Sequence, residues 1–249
     1  MHVHEFGDKE SKTIVFLHSG GVSSWMWEKQ VAAFRDFHCL VPDLPGHGKS
    51  KNMGSFSIRD SAVKIAAMIK EKTLDGKAYV VGHSLGAQIS VELLALSPEI
   101  IEKAVVGSAL VKGKGMPGWV KFLFRGTMPL AKKKWFAKLQ AKALKIPPEY
   151  FSKYYEDSKT FRGETLLEIL EENARYTLPR GLSKCYVPTL VLSGEKESKE
   201  MLKSVWDISA IMPKAEGYLI ADLGHSYCFE SPELFNRILK AWFNEGELL

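Results

Sequence analysis

The ten residues Tyr79-Val80-Val81-Gly82-His83-Ser84-Leu85-Gly86-Ala87-Gln88 constrain this chain more than any others. A short apolar, β-rich run meets Gly-His-Ser-Leu-Gly, and a helix-compatible stretch follows at once. A serine in that setting sits on a sharp strand-to-helix turn, with its hydroxyl standing free above the strand ends. Such a turn leaves no room for β-carbons two residues to either side, which accounts for Gly82 and Gly86. It also aims the backbone N–H of Leu85, at the start of the new helix, toward the place where a negative oxygen would form.

The chain around this turn alternates strands and helices. His2 to Phe6 is a weak first strand, turned by Gly7-Asp8-Lys9, and Thr13 to Leu17 is a continuous apolar strand of the kind buried on both faces. His18-Ser19-Gly20-Gly21 is a loop. Trp27, Val31 and Phe34 at helical spacing predict a helix from Ser24 to Phe37, and His38 to Pro42 predicts the next strand. Ser57-Ile58-Arg59-Asp60 resembles a capping box with Asp in place of Glu, opening a helix whose apolar face is Ile58, Ala62, Ile65, Ala66 and Ile69. A helix from Leu85 to Leu96 stops at Pro98. Ala104–Gly107, Thr189–Gly194 and Gly217–Ile220 predict later strands, and Ser231-Pro232 caps a terminal helix running to about Phe243. The fold class expected is therefore α/β, a doubly wound and mostly parallel sheet. About 80 residues separate the strand at Val106 from the one at Leu190, far beyond an ordinary connection. The organisation expected is a core at 1–109, an inserted helical cap at 110–185, and the rest of the core at 186–249.

Composition narrows the classes. With 249 residues, 45% of them apolar, the chain can bury a large core without disulfide or metal. Cys39, Cys185 and Cys228 are odd in number and far apart, so they read as small buried residues in a reducing compartment. The N-terminus has no signal pattern and no run approaches the length of a membrane span, so a soluble, cytoplasmic protein without membrane insertion is expected. No cofactor and no metal is implied, because there is no phosphate-binding loop, no His-Glu-x-x-His and no clustered Cys/His.

The net charge is +5, but ten Lys/Arg and no acid fall between Lys112 and Lys145, leaving 24 basic against 29 acidic residues elsewhere. An excess confined to one segment argues against a nucleic-acid footprint over the whole protein. The run is either the solvated outside of cap helices or an attractor of acidic substrates or an anionic lipid surface.

Several ordered motifs resemble the α/β-hydrolase superfamily, of the serine esterase type with a helical cap. They are His18-Ser19-Gly20-Gly21 after a strand, Asp43-x-Pro45-Gly46-x-Gly48-x-Ser50, the turn at Ser84, a strand ending in Gly194 with an acid after it, and Gly224-His225. The resemblance implies a nucleophile at Ser84, a general base at His225 and an acid between them in the chain. His225 alone of seven histidines follows the last strand. The position matching the family's acid is Glu197; Glu195 is next, and Asp222 is close to His225 in sequence but on the wrong side of its loop. An oxyanion hole is expected from the N–H groups of Gly20 and Leu85, with Gly21 as the fallback. The family's His-Gly pair reads His18-Ser19 here, a departure. The cap is dense in Trp and Phe, so Trp119, Phe122 and Trp135 are expected to line an acyl pocket. The activity implied is hydrolysis of small to medium carboxylic esters, with a small-molecule ester as partner. Acyl transfer, lactonase, thioesterase, C–C bond hydrolysis and a weakly catalytic receptor remain open on the same residues, and nothing specifies an oligomeric state.

Overall fold

A computed structural model describes residues 1–111 and 113–244. One sheet contains β1 (Val3–Phe6), β2 (Thr13–Leu17), β3 (His38–Pro42), β4 (Ala78–His83), β5 (Ile101–Gly107), β6 (Thr189–Gly194) and β7 (Ala215–Ile220). Its spatial order is β1-β3-β2-β4-β5-β6-β7; β1 is antiparallel to β3 and every other neighbouring pair is parallel. β2 and β4 are buried along their whole length, as continuous apolar runs between two helix layers must be.

Successive strand residues point to opposite faces. Val15, Leu17 and Val80 pack with α2 (Ile58–Lys72), α3 (Leu85–Leu96) and α8 (Lys199–Ile211). Ile14, Phe16 and Val81 pack with Trp25–Trp27, Phe34 and the terminal helix α10 (Pro232–Asn244) on the other face. The cap at Ser57 forms, its hydroxyl accepting from Asp60 N at 3.3 Å, and all five residues expected on the apolar face of α2 are buried. Cys39, Cys185 and Cys228 are buried free thiols.

The helix expected over Ser24–Phe37 is shorter and begins differently. Ser24–Trp27 is a 3₁₀ turn, and α1 is confined to Glu28–Ala33. Trp25, Met26 and Trp27 are all buried, and three consecutive side chains cannot all face one side of an α-helix. The chain tightens instead so that each ring finds core. α8 was not expected; its start is hidden in the polar run Glu195–Glu200, where Ser198 caps Met201 N at 3.2 Å.

Between β5 and β6 lie α4 (Gly118–Ala131), α5 (Lys134–Ala143), α6 (Phe151–Thr160) and α7 (Gly163–Arg175). α7 buries Leu167 and Ile169, and a β-carbon built on Gly20 would meet Ile169 at 3.8 Å. The insertion therefore lies over the loop that follows β2. A short helix, α9 (Tyr227–Glu230), leads into α10. Among the described residues no helix is long and apolar enough to cross a membrane.

Candidate active site

Parallel strands deliver their following loops to one edge, so the segments after β2, β4, β6 and β7 meet there. These segments hold Gly20, Ser84, Glu197 and His225. Ser84 adopts φ 55°, a left-handed backbone that a non-glycine residue occupies only under constraint. The constraint is visible at its neighbours. A β-carbon on Gly82 would lie 2.4 Å from Gly86 O, and one on Gly86 would lie 2.1 Å from Leu17 O. The turn is thus pinned between α3 and the end of β2. Ser84 N donates to Gly107 O at 2.8 Å, and the Ser84 hydroxyl makes no capping bond.

His225 Nδ1 lies 2.6 Å from Glu197 Oε2. Glu197 is held from behind: its Oε1 accepts from Ser108 Oγ at 2.5 Å, Ser193 Oγ at 2.8 Å and Gly194 N at 3.2 Å. Burial pushes this carboxyl up, but His225 and the two hydroxyls outweigh it and hold the group at about 2. The carboxylate is therefore ionised at neutral pH, accepts the Nδ1 proton and leaves Nε2 as the free ring nitrogen. Ser84 and His225 line one cavity of about 80 Å³, together with Ser19, Gly20, Val22, Met26, Leu144, Ile146 and Phe229.

The rival acids are turned elsewhere. Glu195 Oε2 accepts from Asp222 N at 3.2 Å, and Asp222 pairs with Lys196 at 3.1 Å with its side chain 89% exposed. At the other wall, a β-carbon on Gly20 would touch Leu85 Cβ at 3.8 Å, so these two backbones are neighbours. Neither the Gly20 nor the Leu85 N–H is engaged among the described hydrogen bonds. Gly21 N is committed to His47 Nε2 at 3.3 Å, which removes the fallback.

The departure at Ser19 has a structural partner. His83 Nε2 faces the backbone carbonyl of His225 at 2.9 Å and must donate to it, so Nδ1 accepts from Ser19 Oγ at 2.7 Å. Burial, followed by the charge of His225, depresses His83 to about 3, which keeps its ring neutral. Ser19 thereby ties the Gly20 loop to the His225 loop through the residue preceding Ser84. Sequence reasoning missed His83, Ser108 and Ser193 in these roles. The signal was slight: a small polar residue beside the glycine that ends a strand, at Ser108 after β5 and at Ser193 in β6.

Trp119, Phe122 and Trp135 do not line the cavity. They are 71%, 83% and 62% exposed, on the outward faces of α4 and α5. The insertion turns other residues inward: Phe124, Met128, Phe136, Phe161 and Leu166 line a neighbouring cavity of about 70 Å³ that reaches Gly21. A larger cavity, about 560 Å³, lies between the 3₁₀ turn and α6 and is lined by Trp25, Asp43 and Asp157. It contains neither Ser84 nor His225, so size does not locate the chemistry here.

A mostly parallel sheet with a half-buried serine on a strained strand-to-helix turn, a carboxylate-backed histidine beside it and a helical insertion defines an α/β hydrolase. The sequence agrees, since residues 14–238 match the alpha/beta hydrolase family, and the chain belongs to that family. Lipase 1 of Psychrobacter immobilis is 24% identical over 89% of this chain and 73% of its own length. A stretch 32% identical to an AB hydrolase superfamily protein of Gibberella zeae covers 38% of this chain, and about a third (34%) of that relative's length. Among solved structures, an enol-lactonase from Burkholderia xenovorans superposes with TM-score 0.81 at 21% identity, over 97% of this chain and 95% of its own. A carboxylesterase from Bacillus subtilis gives 0.80 at 22% identity, over 99% and 88%.

Proposed function

We propose that this chain is a serine hydrolase of carboxylic esters with small to medium acyl groups, working through an acyl-enzyme on Ser84. The observation that carries the proposal is the Glu197–His225 hydrogen bond, on a ring that shares a cavity with Ser84. In the reaction, Ser84 Oγ attacks the ester carbonyl carbon while His225 Nε2 takes the hydroxyl proton. The negative oxygen of the tetrahedral intermediate is received by the N–H groups of Leu85 and Gly20, each such donor typically contributing roughly 10²–10³ in rate. The intermediate collapses as the imidazolium returns its proton to the departing alkoxide, releasing an alcohol. A water activated by the same imidazole then cleaves the acyl-enzyme and frees the acid. Residues 110–185 act as the cap, and the cavity of about 80 Å³, with the apolar space beyond Gly21, supports short acyl groups.

The test is labelling with a fluorophosphonate, followed by hydrolysis of nitrophenyl esters of rising chain length. One label per chain on the Ser84 peptide is expected, with kcat/KM greatest for short chains. No label at Ser84 would overturn the nucleophile, and rates still climbing at long chains would overturn the acyl size.

Glu197→Gln separates orientation from mere proximity. The amide cannot hold the imidazole in the tautomer that frees Nε2, and kcat is expected to fall by roughly 10³–10⁴ with KM little changed. A variant folded by circular dichroism yet within tenfold of wild type would remove Glu197 from the mechanism. The parallel variant Glu195→Gln is expected to keep wild-type turnover.

A further inference from the structure

Trp119, Phe122 and Leu123 occupy one outward face of α4, at i, i+3 and i+4, and are 71%, 83% and 58% exposed. No residue of α4 is buried. Trp135 and Leu139, four residues apart on α5, are 62% and 60% exposed. Five large apolar side chains standing in water on two successive helices are unusual for a monomer's surface and mark a binding face. The same outward face of α5 carries Lys134, Lys138 and Lys142, so its sequence alternates cation with apolar side chain.

The charges identify the occupant. Residues 112–145 contain ten Lys/Arg and no acid, while the rest of the chain is net −5. Lys121 and Arg125 are paired with Glu171 and Glu164 of α7, but Lys133, Lys134, Lys138 and Lys142 have no acidic partner among the described residues. A second copy of the chain seated on this face through a two-fold axis would oppose two such cationic patches. An anionic bilayer meets both requirements at once: headgroups pair with the lysines, whose long stems let the ammonium groups stay at that level while Trp, Phe and Leu enter the acyl boundary. The acidic remainder is repelled from the same surface, which orients the molecule insertion-side down.

We propose that the outward faces of α4 and α5 form a peripheral docking surface for anionic lipid membranes. The bilayer is touched and not spanned. Docking does not depend on the reactivity of Ser84.

The test is co-sedimentation of the full chain with vesicles of phosphatidylcholine alone and of phosphatidylcholine containing phosphatidylglycerol. Binding is expected to the anionic vesicles, to weaken as salt is raised, and to be the same for Ser84→Ala as for wild type. Lys134→Gln and Lys138→Gln are each expected to weaken it by about fivefold, the effect of one charge near an anionic surface. Trp119→Ser with Phe122→Ser is expected to reduce it by at least about tenfold, because the apolar anchors on α4 are lost. These side chains are exposed, so the fold and hydrolysis of a water-soluble ester serve as controls. Absence of binding to anionic vesicles, or equal binding by the Trp119/Phe122 variant, would overturn the proposal. So would a dimer in light scattering that the same variant dissociates, since the face would then belong to a second copy.

Discussion

Ser84→Ala is expected to lower kcat for nitrophenyl esters by about 10⁴–10⁶ while leaving KM and thermal stability close to wild type. Stability is spared because the Ser84 hydroxyl caps nothing, and alanine keeps the β-carbon that the turn already accommodates at φ 55°. Gly20 and Leu85 still present their N–H groups, so a residue of catalysis over water remains. Adding Glu197→Gln to Ser84→Ala should cost almost nothing more, because an oriented base without a nucleophile has no task. That lack of additivity distinguishes a cooperating set from three residues that each support the fold. Hydrolysis within tenfold of wild type in a homogeneous Ser84→Ala preparation would sink the mechanism.

How much could be read beforehand follows from which interactions are local. The turn at Ser84 is written in five consecutive residues because the clash that excludes a β-carbon at Gly82 is local, with Gly86 O four residues on; the one at Gly86 is with Leu17 O of β2 and shows only once the strands are assembled. Strands β2, β3 and β6 match the expected limits because each is a continuous apolar run ended by a polar or turn residue. Glu197 and His225 were placed through a resemblance in chain order, and the sheet brings their loops together. Ser108 and Ser193 were invisible for the opposite reason. Their value lies in meeting one carboxylate from two different strands, and no spacing in the chain records that meeting. The aromatics of the insertion failed differently. Aromatic content indicates a buried or binding surface but not which side of a helix it occupies. In α4 the outward positions took Trp119 and Phe122, while Phe124 and Met128 turned inward.

The chain is also expected to lose stability steeply as pH falls from about 6.5, the ordinary histidine value, toward 4.5. Burial depresses His18 to about 4; burial and then the charge of His18 depress His47 to about 3, and His83 lies at about 3 as well. Each ring is neutral in the fold and satisfied on both nitrogens. His18 contacts Ser19 O and Leu44 N, and His47 contacts Pro45 O and Gly21 N. The unfolded chain takes up all three protons as pH drops below about 6.5, while the folded chain refuses them until near 3–4. Their stabilisation is therefore complete above the unfolded value and is drained as pH falls. Asp157 opposes this, because burial raises it to about 6 despite its hydrogen bond from Trp25. The folded state binds that proton first, so its contribution grows as pH falls through 6. Three protons against one leaves a net of about two, or roughly 3 kcal/mol per pH unit. Over two units this rivals the whole stability of an ordinary domain, about 5–15 kcal/mol. Urea midpoints measured from pH 7 down to pH 4.5 should fall throughout, and His47→Gln should make the slope shallower by about one proton. A midpoint that stays level between pH 7 and pH 5 would show that these rings are charged in the fold, against the burial that surrounds them.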